Sequence, residues 1–417
     1  MSGVAPAASF GIGSTQALAG IRVVEIGFAA AGPLVGKYLA NHGAEVIHVE
    51  SRTAPDVFRS TYPPFKDNVP GPDRAGMFAF YNDGKRGVTL NLRHPGAVEL
   101  ARALIKKSDV VIESFPAGTM AKRGLSYETL ATGNAGLVML SSCNQGQTGP
   151  HAQHPGYGSQ LSCLAGFVHL LGDPASSPVI LYGPYIDYIA VGYGVIAVLA
   201  ALARRQATGR GCYIDLSQYE AGLQFMAPAI LEQQLNGTIP TRNGNHDPVA
   251  VPHGVYPCAG DDRWVALSIW SDDEWCRLRA AMGDPAWTSD RRWDTSAGRR
   301  VGQDELDALV ADWTRTRTRE QVVDALRAQR VHASAVLSIG ELFTDPQLAH
   351  REFWRALPHP VLGTSQCLSA PFTLSATPSR QERAGPTLGA DNDLVFGGIL
   401  GLGEEERAAL ARDGVFD

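Results

Sequence analysis

The 417-residue sequence predicts an α/β fold, with a Rossmann-like large domain and a smaller α+β domain. Three observations lead there. β-Branched runs alternate with helix-like segments over the first half of the chain. That rhythm stops in a stretch rich in Asn, Gly and Pro, "APAILEQQLNGTIPTRNGNHDPVAV". A strand–turn–strand pattern and capped helices then follow.

The elements read in order. "IRVVEIG" (21–27) is a strand, "GPLVGKYLANHG" (32–43) a helix ending on glycine, and "AEVIHVE" (44–50) a second strand. Together they make a βαβ unit of a parallel sheet. "GVTLNL" is the next strand, Pro95 suits the first turn of "PGAVELARALIKKS", and "DVVIES" and "GLVMLSS" continue the sheet. An apolar helix over 188–205 precedes the strand "CYIDLS". Residues 18–225 form the large domain, 226–250 a linker, 251–340 the small domain, and 341–417 the return to the large domain. In the small domain, Ser271 caps a helix with Asp272, Asp273 and Glu274 in its first turn. Thr318 and Gln321 make a capping box, and a last helix starts near Gly403.

Composition narrows the function. The net charge of −6 argues against a nucleic-acid surface. The six cysteines form no CxxC pair or zinc-spaced cluster, so no metal site is expected, and free thiols point to a reducing, cytoplasmic compartment. The first twenty residues read as an arm and lack a signal peptide's basic start. The apolar run Tyr188 to Ala203 ends at Arg204-Arg205, short of the ~20 residues of a membrane span, so no membrane partner is expected. The turn after the first strand, "GFAAAGP", lacks the GxGxxG glycines, which argues against a bound dinucleotide.

One charge stands out. In "GPYIDYIAVGYG" (183–194), Asp187 is an isolated carboxylate at the start of an apolar helix. Most such residues are N-caps. The helix N-terminus favours an anion there, which would hold Asp187 ionised.

The ordered set "LAGIRVVEIG…AGP…LANHGAEVIHVE", "GKRGVTLNLRHP", "DVVIESFPAGTMAKRGLSYETL", "ATGRGCYIDLSQYEA", "DPQLAHREFW" and "APFTLSATP" resembles the class III CoA-transferases, the superfamily of formyl-CoA transferase, carnitine CoA-transferase and α-methylacyl-CoA racemase. The resemblance runs from about residue 18 to the end. It implies an interlocked, chain-link dimer, either homo- or heteromeric. It also implies an enzyme that moves CoA from an acyl-CoA to a carboxylic acid, with Asp187 as covalent nucleophile and an aspartyl-CoA thioester as intermediate. CoA and acyl-CoA are then substrates, and no permanently bound cofactor is expected. Carried over by position, the CoA contacts are Ala29, Ala30, Leu90, Arg93, Ser114, Phe115, Lys122 and Arg123, with Arg52 near the phosphates. The glycine-containing "NGNHD" (243–247) is a candidate donor of N–H groups to the developing oxyanion.

"YGSQLSCLAGF", "PYIDYIAVGYG" and "PHGVYPCAGDDRWVALSIW" most resemble the branch acting on C4-dicarboxylate or aromatic acids, of which the succinyl-CoA:benzylsuccinate and mesaconyl-CoA transferases are examples. This makes succinyl-CoA a candidate donor and Tyr157, Tyr185 and Tyr188 candidate walls of the acid pocket. Several positions depart from the wider family. Ala30 stands where formyl-CoA transferase has glutamine, and Ser51 where it has arginine. "GADN" (389–392) replaces the usual "GEHT", and Tyr157 occupies the place of the racemases' catalytic histidine. The alternatives are an acyl-CoA racemase and a non-catalytic subunit of a heteromeric transferase.

Overall fold

The computed structural model describes residues 16–417; the first fifteen, most of the arm read above, lie outside them. The chain forms two compact units. One holds Ile180–Asn236, Pro346–Asp417 and the described part of Met1–Phe167; the other holds Val168–Val179 and Gly237–Asp345.

The first unit is built on a parallel sheet of β1 (Arg22–Ile26), β2 (Glu45–Glu50), β3 (Arg86–Thr89), β4 (Val110–Glu113), β5 (Val138–Cys143) and β6 (Cys212–Ser217). The strand order is β3-β2-β1-β4-β5-β6, so the winding reverses between β1 and β4. Side chains alternate between two cores. Val24, Ile47 and Val111 pack on one face with helix α4 and the C-terminal Phe396 and Val415. Val23, Val46 and Val110 pack on the other with helix α1 and helix α3. Here α1 spans Ala31–Asn41, α2 Val57–Ser60, α3 Gly76–Tyr81 and α4 Pro95–Lys106. Pro95 opens α4 as its sequence position suggests.

The helix expected over 188–205 is longer and runs Tyr185–Thr208, capped by Gly209 in the left-handed region. At 24 residues it is long and apolar enough to cross a membrane by length and composition, contrary to the length argument above. Its inner face, with Ile186, Ala190, Val191, Gly194 and Val198, is buried in this unit. The stretch 226–250 is not a plain linker, because Ala227–Asn236 is helical within the first unit. The returning chain adds the antiparallel pair β10 (Trp354–His359) and β11 (Gly363–Leu368). Its "GADN" turn then pins the sheet's edge strand. Gly87 N–H donates to Asp391 Oδ2 at 2.8 Å, and Thr89 N–H to Asn392 Oδ1 at 2.9 Å.

The second unit carries the antiparallel sheet β7 (His253–Pro257), β8 (Trp264–Ser268) and β9 (His332–Ala335), with Trp275 and Trp293 in its core. Ser271 and Thr318 cap their helices as read from sequence. β9, in "HASAVLS", is a strand that alternation alone did not signal.

Candidate active site

In an open α/β sheet, ligands bind beyond the carboxyl ends of the strands where the winding reverses. The loops after β1 and β4 meet there. Gly27 lets them approach closely, since a Cβ on it would sit 2.5 Å from Ser114 Oγ. The Phe28 and Phe115 rings lie 5.9 Å apart. Ala29 adopts φ 63°, a left-handed conformation that costs most L residues about 1–2 kcal/mol. Its N–H donates to Asp56 Oδ2 at 3.0 Å. Burial pushes Asp56 up to about 6. On the other loop, Phe115 N–H donates to Glu113 Oε2 at 2.8 Å, and burial pushes Glu113 up to about 7.

Three cavities open around these loops. The first, about 270 Å³, is lined by Leu90, Arg93, Phe115 and Arg123 among others. The second, about 230 Å³, is bounded by Ala29, Ala30, Ser114, Phe115, Tyr157 and Asp187. The third, about 850 Å³, shares Ala29, Tyr157 and Asp187 with the second and is walled by Tyr62, Phe80, Tyr81 and Tyr188. Phe115 joins the first cavity to the second, and Asp187 joins the second to the third.

Asp187 is the third residue of its helix, not the cap; Pro184 holds that place. The Asp187 carboxylate is half-buried and makes no hydrogen bond or ion pair among the described residues. Burial pushes it up to about 7. A helix N-terminus is worth about 0.3–1 kcal/mol to an anion, less than one pKa unit, so desolvation wins. Asp187 is therefore divided between acid and carboxylate near neutrality, and not held fully ionised as the helix-end argument predicts.

The model for CoA-transferase family III matches residues 18–392 of this chain. The chain belongs to CoA-transferase family III. The family III relatives include the succinyl-CoA–D-citramalate CoA-transferase of Chloroflexus aurantiacus, 34% identical over 94% of this chain and 96% of that protein. Another is the succinate–glutarate CoA-transferase of Agrobacterium fabrum, 32% identical over 91% and 94%. The crystal structure of a CaiB/BaiF family protein from Brucella suis superimposes with a TM-score of 0.84 at 28% identity, covering 92% of this chain and 99% of that one.

Among the residues carried over from the family pattern, Ala29, Ala30, Ser114 and Phe115 line the middle cavity, and Leu90, Arg93, Phe115 and Arg123 line the outer one. Arg123 Nη1 donates to Leu92 O at 2.9 Å, while Arg93 is exposed. Lys122 and Arg52 are exposed and line none of these three cavities; Arg52 lies against the Gly389 turn. Tyr157 and Tyr188 share the large cavity with Asp187, whereas Tyr185 faces a separate pocket beside Phe225. "NGNHD" lies in the second unit. Among the described residues no group of three or more His, Cys, Asp or Glu could hold a metal.

Besides Asp56, sequence reading missed three residues around these cavities. The Tyr81 hydroxyl is 2.6 Å from that of Tyr188, and burial raises the Tyr81 phenol far above its ordinary range, so it stays protonated. Lys66, exposed, is the basic side chain on the wall of the large cavity. At Gly158 an added Cβ would lie 2.7 Å from Asp187 Oδ1 and 2.5 Å from Pro184 Cβ. Only a residue without a side chain leaves the carboxylate room. No local signal in "PGYGSQ" separates Gly158 from Gly156.

Proposed function

We propose that this family III enzyme moves CoA from an acyl-CoA, with succinyl-CoA as donor, to a carboxylic acid through a covalent aspartyl-CoA thioester on Asp187. The observation that carries this reading is the unpartnered Asp187 carboxylate on the shared wall of the middle and large cavities. The adenine nucleotide occupies the Arg93–Arg123 cavity, the pantetheine arm the middle one, and the acyl group the large one.

The Asp187 carboxylate attacks the thioester carbonyl and expels CoA thiolate, leaving a mixed anhydride. The thiolate then attacks the aspartyl carbonyl and releases the donor acid as its carboxylate. The acceptor carboxylate attacks the aspartyl thioester and expels CoA thiolate, leaving a second mixed anhydride, and that thiolate attacks the anhydride's acceptor carbonyl and expels the Asp187 carboxylate. The acceptor's CoA ester forms and the Asp187 carboxylate is regenerated. CoA enters and leaves as substrate.

Lys66 supports a dicarboxylate acid, whose distal carboxylate it would meet, in keeping with relatives named for citramalate and glutarate. The tyrosine and phenylalanine walls of the 850 Å³ cavity support the aromatic alternative. Exposed Ile196, Phe225, Ile230 and Leu235 support burial of this unit's apolar surface in an interlocked dimer. Cytoplasmic location remains part of the proposal, in keeping with six free cysteines. Assaying the purified chain alone with succinyl-CoA and a panel of dicarboxylic and aromatic acids tests the reading. No transfer from any of them contradicts it.

Two further results are expected. Arg93→Ala and Arg123→Ala raise the KM for acyl-CoA several-fold, more than that for the acid, and the effect shrinks at high salt. Equal changes in both KM values would remove the phosphates from this cavity. A phenol is a poor base at neutral pH, with a reference pKa of about 10. With Tyr157 in the racemases' histidine position, a 2-methylacyl-CoA incubated in D2O therefore gains no α-deuterium. Rapid exchange by mass spectrometry would favour the racemase instead.

A further inference from the structure

We propose that Asp56 is a positioning residue for the coenzyme, holding the turn after β1 in the shape that the pantetheine arm passes. This rests on the assignment of the middle cavity to CoA. Asp56 is 3% exposed and uses both carboxylate oxygens. Oδ2 accepts the Ala29 N–H at 3.0 Å across 27 residues of sequence, and Oδ1 accepts the Phe58 N–H at 2.7 Å, capping α2. Asp56 is itself braced, as its N–H donates to Glu50 Oε1 at 3.3 Å. Glu50 is gripped by Arg59, with Nε–Oε1 at 2.9 Å and Nη2–Oε2 at 2.9 Å. The same guanidinium donates to Pro386 O at 2.8 Å and lies 3.3 Å from the centroid of the Phe78 ring.

The element held by this chain of contacts is the one under strain. Ala29, at φ 63°, is an L residue in a conformation suited to glycine, and it lines both cavities that meet at Asp187. A buried charge anchored to a strained N–H keeps that N–H from relaxing. Asp56 also borders the Arg93–Arg123 cavity, but it lines neither the middle cavity nor the large one, and both its carboxylate oxygens are taken by backbone N–H groups, so it acts on the pantetheine arm through Ala29.

Isothermal titration with free CoA, the probe, reads this without any chemistry. Asp56→Ala is expected to weaken CoA binding about tenfold, the scale of one lost charge-assisted hydrogen bond. Adding Ala29→Gly to that variant is expected to recover part of the loss, because glycine holds a positive φ without an anchor. A merely structural role for Asp56 would not respond to the second change. If Asp56→Ala does not fold, the isosteric Asp56→Asn replaces it. Asn keeps one acceptor oxygen for two fixed N–H donors and is expected to show a smaller loss with the same recovery. CoA affinity within twofold of wild type in a folded variant, or no recovery with Ala29→Gly, overturns the proposal and leaves the role of Asp187 standing. Wild-type protein that fails to bind CoA overturns the coenzyme assignment itself.

Discussion

Replacing Asp187 with Asn lowers turnover by roughly a thousandfold or more, the scale seen when a covalent nucleophile is removed. Asn keeps the shape and loses the attacking oxygen's charge. Asp187→Glu keeps the charge but moves it by about one carbon–carbon bond, and a displacement of ~1 Å can cost about 100-fold. Both variants should fold and bind CoA, because the Asp187 side chain makes no hydrogen bond among the described residues that either change would break. The wild-type enzyme should also show its carboxylate in the pH profile. Attack needs the ionised form, and burial places Asp187 at about 7. kcat/KM should therefore be level above about pH 8, fall to about half the plateau near pH 7 and reach about a tenth of it near pH 6. A flat profile down to pH 5 would contradict the raised pKa of Asp187.

Gly158→Ala should cost about 100-fold in kcat, although Gly158 carries no chemistry. Its added methyl would fall 2.7 Å from Asp187 Oδ1 and 2.8 Å from Pro184 Cα, so either the carboxylate or the start of its helix must move. Overpacking of this kind also destabilises by about 1–3 kcal/mol, visible as a lower Tm. CoA affinity should change less than kcat, since Gly158 lines neither the Arg93–Arg123 cavity nor the middle one. Activity within threefold of wild type would show that Asp187 does not need its present position.

The parts of the fold that sequence made legible are those whose cause is local. The β1–α1–β2 unit follows from two β-branched runs around an apolar helix. Pro95 at the first turn of α4, and Ser271 and Thr318 at their helix starts, satisfy backbone groups within a few residues. Boundaries blurred where two local signals competed. Asp187 looked like a cap, yet Pro184, three residues earlier, holds that place and the helix begins at Tyr185. The Asn- and Gly-rich tail of 226–250 hid the helical pattern of its first ten residues. In the candidate site, Asp187 and the loop residues were legible only through resemblance to a family. Asp56, Tyr81 and Gly158 were not legible at all. Asp56 meets Ala29 across 27 residues and Tyr81 meets Tyr188 across 107, contacts that exist only once the sheet has formed. The pKa of Asp187 was also beyond sequence, because the helix end is visible in a sequence and the depth of burial is not.

The central claim is the covalent thioester on Asp187, and trapping it during turnover tests that claim most directly. Hydroxylamine added to wild-type enzyme with an acyl-CoA donor attacks an activated aspartyl carbonyl, displaces CoA and leaves an aspartyl hydroxamate. Peptide mass mapping should place that hydroxamate on Asp187 within 183–194, and the Asp187→Asn protein should carry none. A hydroxamate on any other carboxylate, or an unmodified Asp187 in an enzyme that is turning over, would contradict the account.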